Sequence, residues 1–237
     1  MTRFTLLLII SLAISYISDI SASEMSCSRF SYFCSTNQDT TDVQKLYNGR
    51  AWRNLYPKVI GDQYLFTKDF IPGTVTIDGQ LFSKMSVKYD IFNDEILTIT
   101  NRGIIIQLNK EMIDKFSFTF NNGSYNFRRF DADSVNSLSG YVNILCDGKI
   151  SLYVKYRKEL LLLAVEHKFD MFQEIHRIYV EKDDKIFLIS SKRDLLNTLS
   201  DNKQQIKSFI RSRKLVVRKK DPWSFIPVIE YCNTLAL

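Results

Sequence analysis

Four carboxylates lie close together in the chain, Asp78, Asp90, Asp94 and Glu95. Paired carboxylates can cleave glycosidic bonds or hold calcium. A glycosidase pair must face its partner about 5–10 Å apart across the scissile bond, and an EF-hand needs oxygen ligands at fixed steps along its loop. The EF-hand spacing is missing, and aspartates between strand-like segments serve as turn formers. Other chemistries lack their residues. The only histidines are His167 and His176, with no H-E-x-x-H and no third ligand nominated. Ser124 and Ser139 each have one adjacent glycine but no G-x-S-x-G turn. Cys146 would need a distant histidine to act as a nucleophile. Eight scattered glycines form neither phosphate-binding loop nor dinucleotide fingerprint. No catalytic residue, metal or cofactor is therefore assigned.

Charge supplies the one conspicuous binding feature. The chain carries a formal +6. From Glu24 to Gly140 thirteen basic residues balance thirteen acidic ones, whereas from Tyr141 onward eighteen basic face twelve acidic. Six of these basics fall in ten residues: Arg211, Arg213, Lys214, Arg218, Lys219 and Lys220. Such a run can bind lipid headgroups, an acidic polysaccharide or nucleic acid. It can equally complement the negative end of a helix and then continue as a solvated connection.

The compartment narrows that choice. Arg3, the apolar run Phe4–Ile17 and the small residues Ser21-Ala22-Ser23 have the order of a cleavable signal peptide. The expected boundaries are a signal peptide over 1–23 and one α+β domain over 24–237. No later apolar run reaches the roughly 20 residues of a membrane span. Leu160–Val165, the longest, fits a buried strand or short helix. Export places Cys27, Cys34, Cys146 and Cys232 where disulfides form, with three complete pairings open. Cys27 and Cys34 close a short loop, while Cys146 and Cys232 fall in apolar patterns that suit buried thiols. Export also makes nucleic acid an unexpected partner, leaving an envelope protein or an anionic surface.

The elements that must position these residues read as strands first and helices last. Tyr64–Phe66, Thr74–Ile77, Met85–Tyr89, Ile96–Ile99, Ile104–Leu108, Phe116–Phe120 and Tyr125–Phe127 are β-branched and aromatic. Asp78-Gly79, Phe92–Glu95 and Asn121–Gly123 supply turns between them. Tyr141–Leu145, Ile150–Tyr156, His176–Val180 and Lys185–Ile189 continue the pattern to about residue 190. From 191 the period becomes helical. Ser191 with Asp194 resembles a capping box, Asp201 can cap a second helix, and Asp221-Pro222 begins a third. The spacing predicts an α+β fold: an antiparallel curled sheet, sandwich or partial barrel followed by about three C-terminal helices.

Gly73-Thr74-Val75-Thr76-Ile77-Asp78-Gly79, Val87-Lys88-Tyr89-Asp90 and Asn93-Asp94-Glu95 resemble a motif of exported Bacteroidota proteins of unknown activity. Ser191-Lys192-Arg193-Asp194-Leu195-Leu196 resembles that family's Ser-Lys-Lys-Asp-Leu-Leu-like helix, and Tyr231-Cys232-Asn233-Thr234-Leu235 resembles its closing Tyr-Tyr-Asn-x-Leu, with cysteine replacing the second tyrosine. The resemblance runs from about Leu46 to Leu235. It implies an envelope location and a shared fold, and brings no catalytic residues. The expected function is non-catalytic binding or assembly in the envelope, with a protein, lipid or glycan partner. The alternative is a carboxylate-dependent hydrolase acting outside the cytoplasm, and the placement of the four carboxylates separates the two.

Overall fold

Two-residue turns set the strand pairing. Ile77 pairs with Gln80 across Asp78-Gly79, whose φ values of 47° and 76° are those of the turn that matches strand twist. Asn121-Asn122 and Asp183-Asp184 do the same for Phe120↔Gly123 and Lys182↔Lys185, all four with positive φ. In this computed structural model, residues 49–100, 102–131 and 138–235 are described, and they belong to one compact unit. The signal peptide expected over 1–23, Cys27 and Cys34 lie outside the described residues.

Eleven antiparallel strands form one sheet: β1 (Gly49–Ala51), β2 (Ile71–Ile77), β3 (Gln80–Asp90), β4 (Glu95–Ile99), β5 (Ile105–Leu108), β6 (Ile113–Phe120), β7 (Gly123–Phe130), β8 (Gly140–Cys146), β9 (Ile150–Val165), β10 (Phe169–Lys182) and β11 (Lys185–Ile189). Their order is β1-β5-β4-β3-β2-β6-β7-β8-β9-β10-β11. Three helices follow: α1 (Lys192–Thr198), α2 (Lys203–Ser212) and α3 (Ile226–Leu235). The fold is therefore α+β as expected, and the sheet is curled and open.

Chain length forces the curl. In a flat sheet β5 and β6 would lie four strand spacings apart, about 19 Å. The link from Leu108 to Ile113 reaches at most about 17 Å when extended, and Lys110–Met112 shortens it by forming a 3-10 turn. The curl also brings the β3–β4 turn to β9, where Lys158 N–H donates to Ile91 O at 3.3 Å.

Inside the curl, Val75, Val87, Tyr89, Ile113, Phe116, Phe127 and Tyr141 form the first core. Phe116 and Phe127 stack at 4.6 Å, with Tyr89 edge-on to both. A second core lies where the helices cover β8–β11, joining Leu152, Ile178, Val180 and Ile189 to Leu195, Ile206, Ile210, Phe225 and Ile229.

Some expectations need correction. Leu160–Val165 is a strand, but it is not buried. It ends the long β9–β10 hairpin beyond the reach of β8 and β11, where Leu162 is 72% and Leu163 55% exposed. Tyr64–Phe66 makes only an isolated bridge, Tyr64 to Asp90, because Phe66 turns away at φ 66°. Ser191 caps α1 by accepting Asp194 N–H. Asp201 does not cap α2, because its carboxylate is taken by Lys182. Pro222 opens the 3-10 turn before α3, but the Asp221 side chain makes no capping bond.

Candidate functional site

The β3–β4 turn holds three of the four carboxylates, each with different work. Asp90 is completely buried. It accepts Gln63 Nε2 at 2.7 Å, Phe92 N–H at 3.0 Å, Asn93 N–H at 2.9 Å and Asn93 Nδ2 at 2.9 Å. Burial raises its pKa, and those four donors partly offset the rise. Its oxygens are the hub of the turn.

Asp94, at φ 60°, closes the curl. It accepts Tyr89 Oη at 2.6 Å, Lys110 Nζ at 2.6 Å and Lys155 Nζ at 2.9 Å. Burial alone would raise its pKa. Lys155, Lys110 and the Tyr89 hydroxyl outweigh burial and hold it below the ordinary carboxylate value. The pair needs Gly140 beside it: a Cβ there would sit 1.8 Å from Asp94 Oδ2 and 2.8 Å from Lys155 Nζ. Tyr89, fully buried by the same arrangement, has its pKa pushed far up. Glu95 meets exposed Arg50 at 3.4 Å, and Asp78 is exposed at the β2–β3 hairpin tip.

Of the four, only Asp94 lines the open cleft of about 350 Å³ shared with Lys110, Glu111, Arg129, Ser139 and Gly140. Glycoside cleavage needs a carboxylic acid that stays protonated, facing a second carboxylate. Asp94 is held toward its charged form, and Asp90, whose oxygens are occupied by four N–H donors, is sealed from the cleft. Two of the four therefore do not converge on a substrate-sized space.

The remaining reactive groups are placed structurally. His176 Nε2 lies 2.8 Å from Lys219 O, and His167 sits in the β9–β10 turn at φ 54°. Among the described residues no three His, Cys, Asp or Glu side chains are grouped to hold a metal ion. Cys146 and Cys232 are both buried in the second core, and burial pushes the Cys232 pKa up to about 11. Asn233 lies in α3. Its Oδ1 accepts Ile150 N–H at 2.8 Å and its Nδ2 donates to Ile150 O at 2.9 Å, as a neighbouring strand would. Tyr231 stacks on Phe209 of α2 at 4.0 Å.

The basic run is displayed on a fixed backbone. Arg211 lies in the last turn of α2 and Arg213 is its C-cap. Lys214, at φ 51°, takes the left-handed position of a Schellman motif, with Leu215 N–H donating to Ile210 O at 3.0 Å and Lys214 N–H to Arg211 O at 3.1 Å. Leu215 and Val217 turn inward onto the second core. Arg218 to Asp221 form a tight turn, closed by Asp221 N–H to Arg218 O at 3.0 Å and braced by Arg218 N–H to Ser224 Oγ at 3.0 Å. Arg211, Arg213, Lys214, Arg218, Lys219 and Lys220 are all exposed, and none has a carboxylate within 4.0 Å among the described residues.

Two features of this surface escaped the sequence reading. Val216 is 60% exposed between Lys214 and Arg218, and Trp223, 38% exposed, stands edge-on to Tyr125 at 5.6 Å. The tryptophan three residues past a basic triplet was a usable signal. Its contact with a strand almost a hundred residues away was not.

Comparison of the chain with family models, with curated proteins and with solved structures found no match. No helix among the described residues is long and apolar enough to cross a membrane.

Proposed function

We propose that this is a non-catalytic binding protein of the extracytoplasmic envelope that engages a polyanionic partner through Arg211, Arg213, Lys214, Arg218, Lys219 and Lys220. The supporting observation is that all six cations face solvent with no carboxylate partner among the described residues, on backbone held by the Schellman motif and the Arg218–Asp221 turn. A surface cation kept for helix stability alone gains little. Six within ten residues raise the local positive potential enough to concentrate an anionic partner. The envelope location rests on the N-terminal signal pattern. The hydrolase reading has less support, because Asp90 and Asp94 are committed to internal bonds.

Retention on a phosphate-bearing resin, eluted with salt, tests the proposal. Arg218→Glu, Lys219→Glu and Lys220→Glu together should abolish retention, whereas the equal charge change Lys68→Glu, Lys84→Glu and Lys115→Glu should leave most of it. Equal loss from the two triple variants would mean that only net charge matters and would overturn the assignment.

A further inference from the structure

We propose that the polyanionic partner is an anionic phospholipid surface, met by the Lys214–Trp223 segment as a peripheral attachment. The inference rests on the binding role given above to the basic run and adds what that run binds. From Lys214 to Arg218 exposure alternates: Lys214, Val216 and Arg218 are exposed, and Leu215 and Val217 are partly buried. Leu215 and Val217 pack into the second core, which turns Lys214, Val216 and Arg218 outward. The outer row thus reads cation, aliphatic, cation. The bond from Arg218 N–H to Ser224 Oγ brings the start of α3's leading turn beside Arg218, and with it the partly exposed Trp223.

An aliphatic side chain and an indole beside cations that no carboxylate of the described residues meets match the chemistry of a membrane interface. Tryptophan favours the headgroup level, apolar groups gain by leaving water for acyl chains, and lysine and arginine meet the anionic headgroups. A hydrated acidic polysaccharide repays the cations but not the exposure of Val216. The segment also loses little freedom on binding. Ser224 N–H donates to Asp221 O at 3.1 Å, Asp221 N–H to Arg218 O at 3.0 Å, and Lys219 O is met by His176. A pre-set turn avoids the ordering cost that a flexible basic tail would bear.

The chain has two tryptophans, Trp52 and Trp223, so Trp52→Phe leaves Trp223 as the sole indole reporter. The mature protein with that substitution is mixed with vesicles of equal parts phosphatidylglycerol and phosphatidylcholine, and with phosphatidylcholine vesicles alone. Flotation with the anionic vesicles is expected, together with a blue shift of Trp223 emission and release by high salt. Neutral vesicles should give neither. Charge reversal at Arg218, Lys219 and Lys220 should weaken partition on the order of a hundredfold. Val216→Ser, at a solvent-facing position that leaves the fold intact by circular dichroism, should weaken vesicle binding while sparing resin retention. Resin retention without vesicle binding would overturn the lipid assignment and leave an acidic glycan or protein as partner. Vesicle binding with unshifted Trp223 emission would overturn the insertion. Loss of both retention and vesicle binding would remove the anion-binding role itself.

Discussion

Asp94→Asn removes the one negative charge that two lysines share across the mouth of the curl. Lys155 bears most of the consequence, since its side chain is only 10% exposed and sits 2.9 Å from Asp94, whereas Lys110 is 38% exposed and can turn to water. Breaking a buried pair by removing one partner costs roughly 3–5 kcal/mol when the surviving charge is sealed in. A second bound comes from Lys155 itself. A lysine forced to be neutral at pH 7 gives up about 4–5 kcal/mol relative to its ordinary pKa of ~10.4. Burial already lowers the Lys155 pKa and Asp94 holds it up, so loss of Asp94 pushes it further toward the neutral form. With the site partly open, the expected loss is about 2–4 kcal/mol, or roughly 4–15 °C in Tm for a domain of this size. Urea unfolding of wild type, Asp94→Asn, Lys155→Met and the double variant checks it. The double variant should recover at least ~1 kcal/mol relative to the sum of the single losses. The pH dependence has a fixed sign. Because the folded Asp94 pKa lies below its unfolded value near 3.8, its contribution is complete above that value and is lost as pH falls through the folded pKa. The gap between wild type and Asp94→Asn should therefore close in acid. Asp90, whose pKa burial raises, works in the opposite direction but is common to both proteins. An Asp94→Asn loss under ~0.5 kcal/mol, or strict additivity with Lys155→Met, would refute the clamp.

Three further tests address other parts of the fold. Asn233→Ala strands the N–H and C=O of Ile150 beneath α3 and should cost about 2 kcal/mol by denaturant unfolding. Asn233→Asp should not restore it, because the Nδ2 donor is missing. Lys214→Gly relieves a left-handed lysine at φ 51° and should raise stability by about 0.5–1 kcal/mol in the same assay. Cys232, buried in the second core with its pKa raised by burial to about 11, should resist alkylation at pH 8 in the native protein and react in urea, as mass mapping would show.

Local patterning carried most of the fold. Hairpin turns at Asp78-Gly79, Asn121-Asn122 and Asp183-Asp184 sit where the residue types place them, because few residues tolerate positive φ and those that do mark the turn. The long β9–β10 hairpin was harder to read. Leu160–Val165 is apolar enough to look buried, yet it protrudes, because burial depends on whether a neighbouring element reaches it. Asp201 shows the same limit: an N-capping residue type was outbid by Lys182 from another strand.

By itself the amino-acid sequence determined the strand-then-helix order, the turn chemistry, the C-terminal position of the positive excess and the lack of recognised catalytic motifs. These are properties of residue type and short-range spacing. The tertiary structure decided which carboxylate is which. Asp90 and Asp94 are four residues apart on one turn, yet one is a sealed hub and the other is clamped between lysines sixteen and sixty-one residues further on. Curling of the sheet makes that difference, because it delivers Lys110, Gly140 and Lys155 to Asp94 from three separate places in the chain. The same long-range packing turns Val216 outward among the cations and stands Trp223 beside Tyr125, giving the basic run an apolar component that its charges alone did not reveal.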